Sequence, residues 1–283
     1  MALTIAGCAA RAAPVPSGSA SPLPTSSQPV GAAPASGAVA FVPDAAGAND
    51  FALNALALSG LRAEAHKLGL GEPAVVTNAA SAGSQLVIGR GASLEDDFVA
   101  ASMAKPGVSF VLLDAPAAEA PNLRTVDFEL ADGAIGAGAL AAQHSQTHTV
   151  GFVGGQATDN ARRLLAAFES GAQGSRVLAA YAGSDDNQND AKRVAQGLIA
   201  QDADVLFAAS YPSGLGTIAA ASQLRRQVIG IDYDQYDVAP NAVIASVVKR
   251  VDLAAAQALD DYAGARLGGG AVHGQVTLEP VLR

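Results

Sequence analysis

The sequence is poor in sulfur and in rings: one cysteine, two methionines, no tryptophan, and aromatic residues at 5% of 283 positions. A lone cysteine excludes an internal disulfide framework. The missing indoles remove the platforms on which sugar-binding surfaces are commonly built. Positive charge is also scarce. Seventeen Lys plus Arg stand against 26 Asp plus Glu, a formal charge of -9, and no basic cluster is present to neutralise phosphates, which excludes nucleic acid as a partner. No apolar run beyond residue 40 approaches the roughly 18 residues of a membrane-spanning helix. Charged residues make up 15% and apolar residues 50%, a balance that favours collapse around a core over solvated disorder. At this length one large or two medium domains are expected.

The cysteine stands at the end of Leu3-Thr4-Ile5-Ala6-Gly7-Cys8. A branched apolar residue three places before Cys8 and small residues in between resemble a bacterial lipobox, in which signal cleavage frees a cysteine to carry lipid. Seven residues precede it, with no cationic segment, so residues 1–8 read as a truncated signal peptide ending at Cys8. Residues 9–37 hold six of the 14 prolines, with Ser, Gly and Ala between them and Arg11 as the only charge. Such a stretch has nothing to pack and reads as a flexible tether with a reach of roughly 30 Å. Lipid followed by tether describes a body held beside a membrane, outside the cytoplasm.

From residue 38 short β-branched runs alternate with helical stretches. Strands are expected at residues 38–42, 74–77, 86–89, 108–114, 149–153, 176–181, 204–208 and 227–232, and helices from about Asp50, Ser93, Asp132, Thr158, Gln188, Ser213 and Val251. Strands apolar on both faces and separated by helices form parallel sheets covered on both sides. The alternation goes round twice, reopening at Thr149 to Gly155. Two α/β lobes facing one another leave a cleft, with ligand-binding loops at the carboxyl ends of the strands. Those ends carry Asp44, Gly89, Asp114, Gly154, Ser184, Tyr211 and Asp232.

Catalytic patterns are weak. Gly214 to Ala219 matches a loose dinucleotide pattern with Asp234 beyond it, which leaves a nucleotide-cofactor enzyme as one alternative. His144 and His148 stand four apart, as zinc ligands can, but no third ligand accompanies them. No Gly-x-Ser-x-Gly elbow occurs, and the paired aspartates 96/97, 185/186 and 260/261 are sequence neighbours that do not face one point. A polar cleft without a catalytic set indicates binding rather than catalysis, with no metal and no cofactor.

Four segments resemble the basic membrane protein family of purine nucleoside-binding lipoproteins: Asp44 to Asn54 with Gly60; Pro121-Asn122 with Gly133 to Leu140 and Val150 to Gly155; Gly230-Ile231-Asp232-Tyr233-Asp234-Gln235; and Ala245 to Asp252. They run in order across residues 38–283. The resemblance implies an α/β type I periplasmic-binding-protein fold of two doubly wound lobes, residues 38–145 with about 250–270, and 146–249 with a final strand from about 271–283. Hinges are expected near His144 to His148 and Ser246 to Lys249. It also implies a monomeric substrate-binding component of an ABC importer, partnered by a permease and an ATPase, with a sensory receptor of the same fold as an alternative. By the same resemblance Asp44 faces a purine edge, Asn54 supports that loop, and Asp114 borders the base. Asp232 and Lys249 hold the ribose. Two departures stand out: Leu53 occupies the position of a base-stacking Phe, and Gly183-Ser184-Asp185 stands for Gly-Ser-Phe. Tyr211 is the candidate replacement wall.

Overall fold

The computed structural model describes residues 39–80 and 82–281, so Cys8 and the proline-rich segment lie outside the described residues. Two six-stranded sheets account for the strands. The first is built from β1 (Val39–Val42), β2 (Ala74–Val75), β3 (Leu86–Arg90), β4 (Ser109–Leu113), β5 (Leu123–Asp127) and β11 (Gly270–His273), in the order β11-β5-β4-β3-β1-β2, all parallel. The second contains β6 (Thr149–Gly154), β7 (Arg176–Tyr181), β8 (Val205–Ala209), β9 (Gln227–Asp232), β10 (Val243–Lys249) and β12 (Val276–Pro280), in the order β12-β10-β9-β8-β6-β7. Among the described residues only β12 runs antiparallel there. Each sheet repeats one winding, in which the second strand lies outside the first and the third reverses direction across the sheet. That reversal opens a crevice between β1 and β3 in one lobe and between β6 and β8 in the other.

Among the described residues seven α-helices cover the sheets: α1 (Leu53–Lys67), α2 (Glu95–Ala104), α3 (Ala131–His144), α4 (Asp159–Gly171), α5 (Gln188–Ile199), α6 (Gly214–Gln223) and α7 (Val251–Ala263). Central strands such as β3, β4, β6 and β8 are buried at every residue, as strands covered on both faces must be. In the first lobe α1 and α7 bury Leu58, Leu61, Leu259 and Tyr262 against Phe41, Ile88 and Val111, while Phe98 of α2 packs beside Phe110 on the other face. In the second, α3 and α4 cover Phe152 and Phe207, and α5 and α6 cover Leu206 and Val228. Helix α1 meets the first turn of α7 so closely that a Cβ at Gly60 would collide with the Asp252 carbonyl.

The lobes are joined by three crossings, and their positions correct the expected boundaries. Ala134, Ala137 and Ala141 place α3 in the second lobe's core, so the first crossing lies at residues 128–130, ahead of the 145 read from the sequence. The His144–His148 turn is no hinge. Asp204 holds it inside the second lobe, accepting from Ser145 Oγ at 2.6 Å, Gln146 N at 2.7 Å and Thr147 N at 3.0 Å. The second crossing is Arg250, between β10 and α7, one residue past the expected segment. The third is Gly274-Gln275, so β11 closes the first sheet before β12 closes the second. The crossings run side by side: Arg250 N donates to Gln275 O at 2.9 Å and Gly274 N to Asp127 O at 2.7 Å. No helix among the described residues is long and apolar enough to cross a membrane.

Candidate functional site

After β1 the chain turns at Asp44, whose Oδ1 accepts from Ala46 N at 3.0 Å. The turn leads into α1, whose free amide groups are satisfied by Asp50. Its carboxylate accepts from Ala52 N, Asn54 N and Ala55 N at 3.0, 3.1 and 3.0 Å, the expected preference for an anion at a helix start. Asn54, wholly buried in the first turn, donates from Nδ2 to Asp44 Oδ1 at 2.7 Å and to Gly47 O at 3.1 Å. Asn54 Oδ1 accepts from Arg90 Nε at 3.0 Å.

Arg90 ends β3 and reaches across the crevice where the strand order reverses. Its Nη2 pairs with Asp44 Oδ2, and Nη1 stands 3.7 Å from Asp114 Oδ2. The following residue is Gly91 at φ 109°, where a Cβ would come within 3.2 Å of the Asp44 side chain; the left-handed backbone and the crowding together require glycine.

Asp114, beyond β4, and Asp232, ending β9, both have left-handed backbones, with φ of 55° and 74°. Aspartate tolerates this region better than most residues, and the strain fixes where each carboxylate points. The Asp232 loop is pinned from behind: Gln235 Oε1 accepts from Ile231 N and Gln235 N donates to Ser246 Oγ, both at 3.0 Å and both buried. Between the two carboxylates lies Lys249, the last residue of β10, with Nζ 3.0 Å from Asp114 Oδ1 and 3.1 Å from Asp232 Oδ1. Burial works against its charge, but Asp232 and Asp114 outweigh that and hold the ammonium above the ordinary lysine range.

The result is one chain of charge, Asp44–Arg90–Asp114–Lys249–Asp232, running from the first lobe to the second. Three carboxylates and two cations leave it one negative charge in excess. The second lobe adds Tyr211, beyond β8, whose ring meets that of Tyr233 edge-on at 5.3 Å. Burial first, then Tyr233 and the charges of Asp50 and Asp232, push its phenol up to about 12, so it stays a neutral hydroxyl across the physiological range. Tyr211 packs on the second lobe's core and Tyr233 on the first lobe's. A cavity of about 480 Å³ opens between the lobes beside Asp114 and Lys249, walled by Phe128, Leu130, Asn160 and Arg163.

The structure therefore brings together Asp44, Asn54, Asp114, Asp232 and Lys249, with Tyr211 at their edge. Leu53 is a correction: it is 4% exposed and packs in the core beneath α1, so it presents no face to the cleft. Arg90 and Tyr233 went unread as site residues. Arg90 had one visible signal, a charge closing the otherwise apolar Leu86–Arg90 strand. Asp185, in place of a ring, knits loops together, its Oδ1 accepting from Gln156 N at 3.0 Å and its carbonyl from Ser213 N at 2.8 Å.

The competing motifs resolve differently. Gly214 and Gly216 lie in α6, where a Cβ at Gly216 would collide with the α5 backbone at Gln188; that glycine serves helix packing. His144 and His148 are exposed and belong to no cluster of potential metal donors among the described residues.

Comparison with known proteins gives a consistent result. Residues 70–275 match the Bmp family model, described as ABC transporter substrate-binding protein PnrA-like. Basic membrane protein D of Borreliella burgdorferi (strain JD1) is 30% identical over 186 residues, 62% of this chain and 54% of the relative. The ABC transporter nucleoside-binding protein BmpA of Lactococcus lactis subsp. cremoris (strain MG1363) is 27% identical over 269 residues, 82% of this chain and 77% of the relative. Against the Borreliella and Borrelia relatives the chain spans about half of their length. Among solved structures, an ABC transporter solute-binding protein from Aeropyrum pernix K1 superposes with a TM-score of 0.71 at 22% identity, covering 87% of this chain and 76% of that one. A transcriptional activator of the comK gene from Bacillus halodurans gives 0.75 at 21% identity, over 85% and 89%.

Proposed function

The chain belongs to the Bmp family of PnrA-like ABC transporter substrate-binding proteins, and from that premise we propose that it is the extracytoplasmic receptor of an importer whose ligand is a purine nucleoside. The family is one of substrate-binding components, not of enzymes, and the fold is that of type I periplasmic binding proteins. The observation that carries the proposal is the charge chain across the cleft. It lies where the loops of both lobes converge, and its groups have hydrogen-bonding capacity to spare. Lys249 spends two donors on Asp114 and Asp232, and the second oxygen of Asp232 has no protein donor among the described residues. A neutral, polyhydroxylated ligand matches such a set. Vicinal hydroxyls donate to Asp232 and accept from Lys249, whereas a phosphate would add charge to a site already in negative excess. Tyr211, on the second lobe's core, and Tyr233, on the first lobe's, meet edge-on beside the charge chain, which supports the reading although Leu53 is unavailable.

Calorimetric titration of the full chain with nucleosides, free bases and ribose tests this. Saturable binding of nucleosides but not of ribose alone is expected; no binding by folded protein removes the ligand assignment. Asp232→Asn keeps a residue that accepts the left-handed backbone and removes the carboxylate, and a loss of roughly tenfold or more in nucleoside affinity is expected. Unchanged affinity takes Asp232 out of the site. The anchor is a separate proposal resting on Leu3 to Cys8. Cys8→Ser in a full-length precursor should move the protein from the membrane to the soluble fraction, and an unaltered distribution refutes lipidation there.

A further inference from the structure

The guanidinium of Arg90 is only partly used. Nε donates to Asn54 Oδ1 at 3.0 Å, and Nη2 gives one hydrogen to Asp44 Oδ2. These two bonds occupy one edge of the planar fork and fix its orientation. The remaining donors, two on Nη1 and one on Nη2, have no acceptor within hydrogen-bond reach among the described residues; the nearest charged oxygen, Asp114 Oδ2, stands 3.7 Å from Nη1. The side chain is 10% exposed, and its unpaired nitrogen Nη1 still reaches solvent rather than being sealed in the interior, so a ligand entering the cleft can take the place of water at these donors. Asp44 is largely engaged within the protein, with one acceptor position to spare. Its Oδ1 accepts from Asn54 and Ala46 and its Oδ2 from Arg90. The carboxylate expected at the purine edge also orients a guanidinium.

We propose that Arg90 is the base-reading residue of the cleft and that it selects 6-oxopurine nucleosides over 6-aminopurine nucleosides. This rests on the reading that a purine nucleoside occupies the site. The open edge of a guanidinium offers two parallel N–H groups, which match two adjacent acceptors. Guanine and hypoxanthine present such a pair in O6 and N7; adenine replaces O6 with an amino donor that meets the fork donor to donor. Asn54 and Asp44 hold the plane, and Asp114 on the far side keeps the fork from rotating away. A site built around a fixed donor pair discriminates chiefly by leaving those donors unmatched when the wrong ligand enters.

The test uses the full chain, titrated calorimetrically with guanosine, inosine, adenosine and 7-deazaguanosine. Guanosine and inosine are expected to bind roughly tenfold or more tightly than adenosine, with 7-deazaguanosine weakened because it lacks the N7 acceptor. In Arg90→Met the differences among the four should collapse. If the unaltered chain binds adenosine as tightly as guanosine, or 7-deazaguanosine as tightly as guanosine, the assignment of Arg90 is overturned while the nucleoside reading stands. Absence of binding by any of the four overturns both. Because Arg90→Met leaves Asp44 and Asp114 without their cation and can fail to fold, the 7-deazaguanosine comparison on the unaltered chain decides the matter without it.

Discussion

Lys249→Met should lower unfolding stability by about 3 kcal/mol near neutral pH and reduce ligand affinity by roughly a hundredfold. The side chain is 15% exposed and lies between carboxylates exposed by 19% and 14%. Methionine fills most of the volume, so the loss is electrostatic. Asp114 and Asp232 then face each other across the cleft with no cation between them. In the unaltered protein the ammonium is held above the ordinary lysine range, so its contribution is whole below the unfolded value of about 10.4 and is lost only as pH rises through the higher folded value. The deficit of the variant is therefore present throughout the neutral range, and denaturant unfolding of both proteins at about pH 8 reads it. An equal midpoint for the two proteins at that pH would show that the Lys249 bridge contributes nothing.

Gly60→Ala is expected to cost about 2 to 3 kcal/mol although alanine is the better helix former. The added methyl would collide with the Asp252 carbonyl in the first turn of α7. That turn follows directly on Arg250 and Lys249, and Arg250 is itself clamped to Asp252 by Nε–Oδ1 at 2.9 Å and Nη2–Oδ2 at 2.6 Å. Relief of the clash therefore displaces the strand end that carries the inter-lobe lysine, and affinity should fall along with stability. Gly197, within α5, has open space where its Cβ would be. Gly197→Ala is the matched control, expected to gain about 0.5 to 1 kcal/mol from propensity alone. A Gly60→Ala protein that unfolds at the same denaturant concentration as its parent would refute the close approach of α1 and α7.

The α/β alternation was legible because the central strands are apolar on both sides and the helices between them carry their own spacing. β5, β10, β11 and β12 were not read from that pattern, β12 being expected only through the resemblance. Leu123-Arg124-Thr125-Val126-Asp127 mixes charge into its run because Arg124 leaves the sheet to pair with Asp261 of α7 at 2.6 Å, and Gly270–His273 is exposed throughout. The first crossing was misplaced for another reason. An Ala- and Gly-rich helix such as α3 does not declare which sheet it covers, and the answer lies in the distant partners Val150, Phe152 and Phe168. At the site, Asp44, Asp114 and Asp232 could be named because each stands at the carboxyl end of a strand, and Lys249 through the family resemblance. The bonds among them could not, since they depend on which strands become neighbours. Arg90 shows this best: as sequence it is the end of a strand, and only the reversal of strand order between β1 and β3 turns it toward Asp44.

Three crossings also fix the order in which the molecule can become complete. The first lobe's core includes Val251, Ala255, Leu259 and Tyr262 of α7, and its sheet gains its last strand at Gly270–His273. The second lobe's sheet waits for Val276–Pro280. A ribosome making this chain from its amino end thus releases neither lobe in finished form until residues 270–280 have emerged. Until then β5 and β10 each have one edge unpaired and open to other chains. Long-range closure of this kind is slow relative to local helix formation, so the nascent protein spends its most exposed interval late, with both lobes partly built.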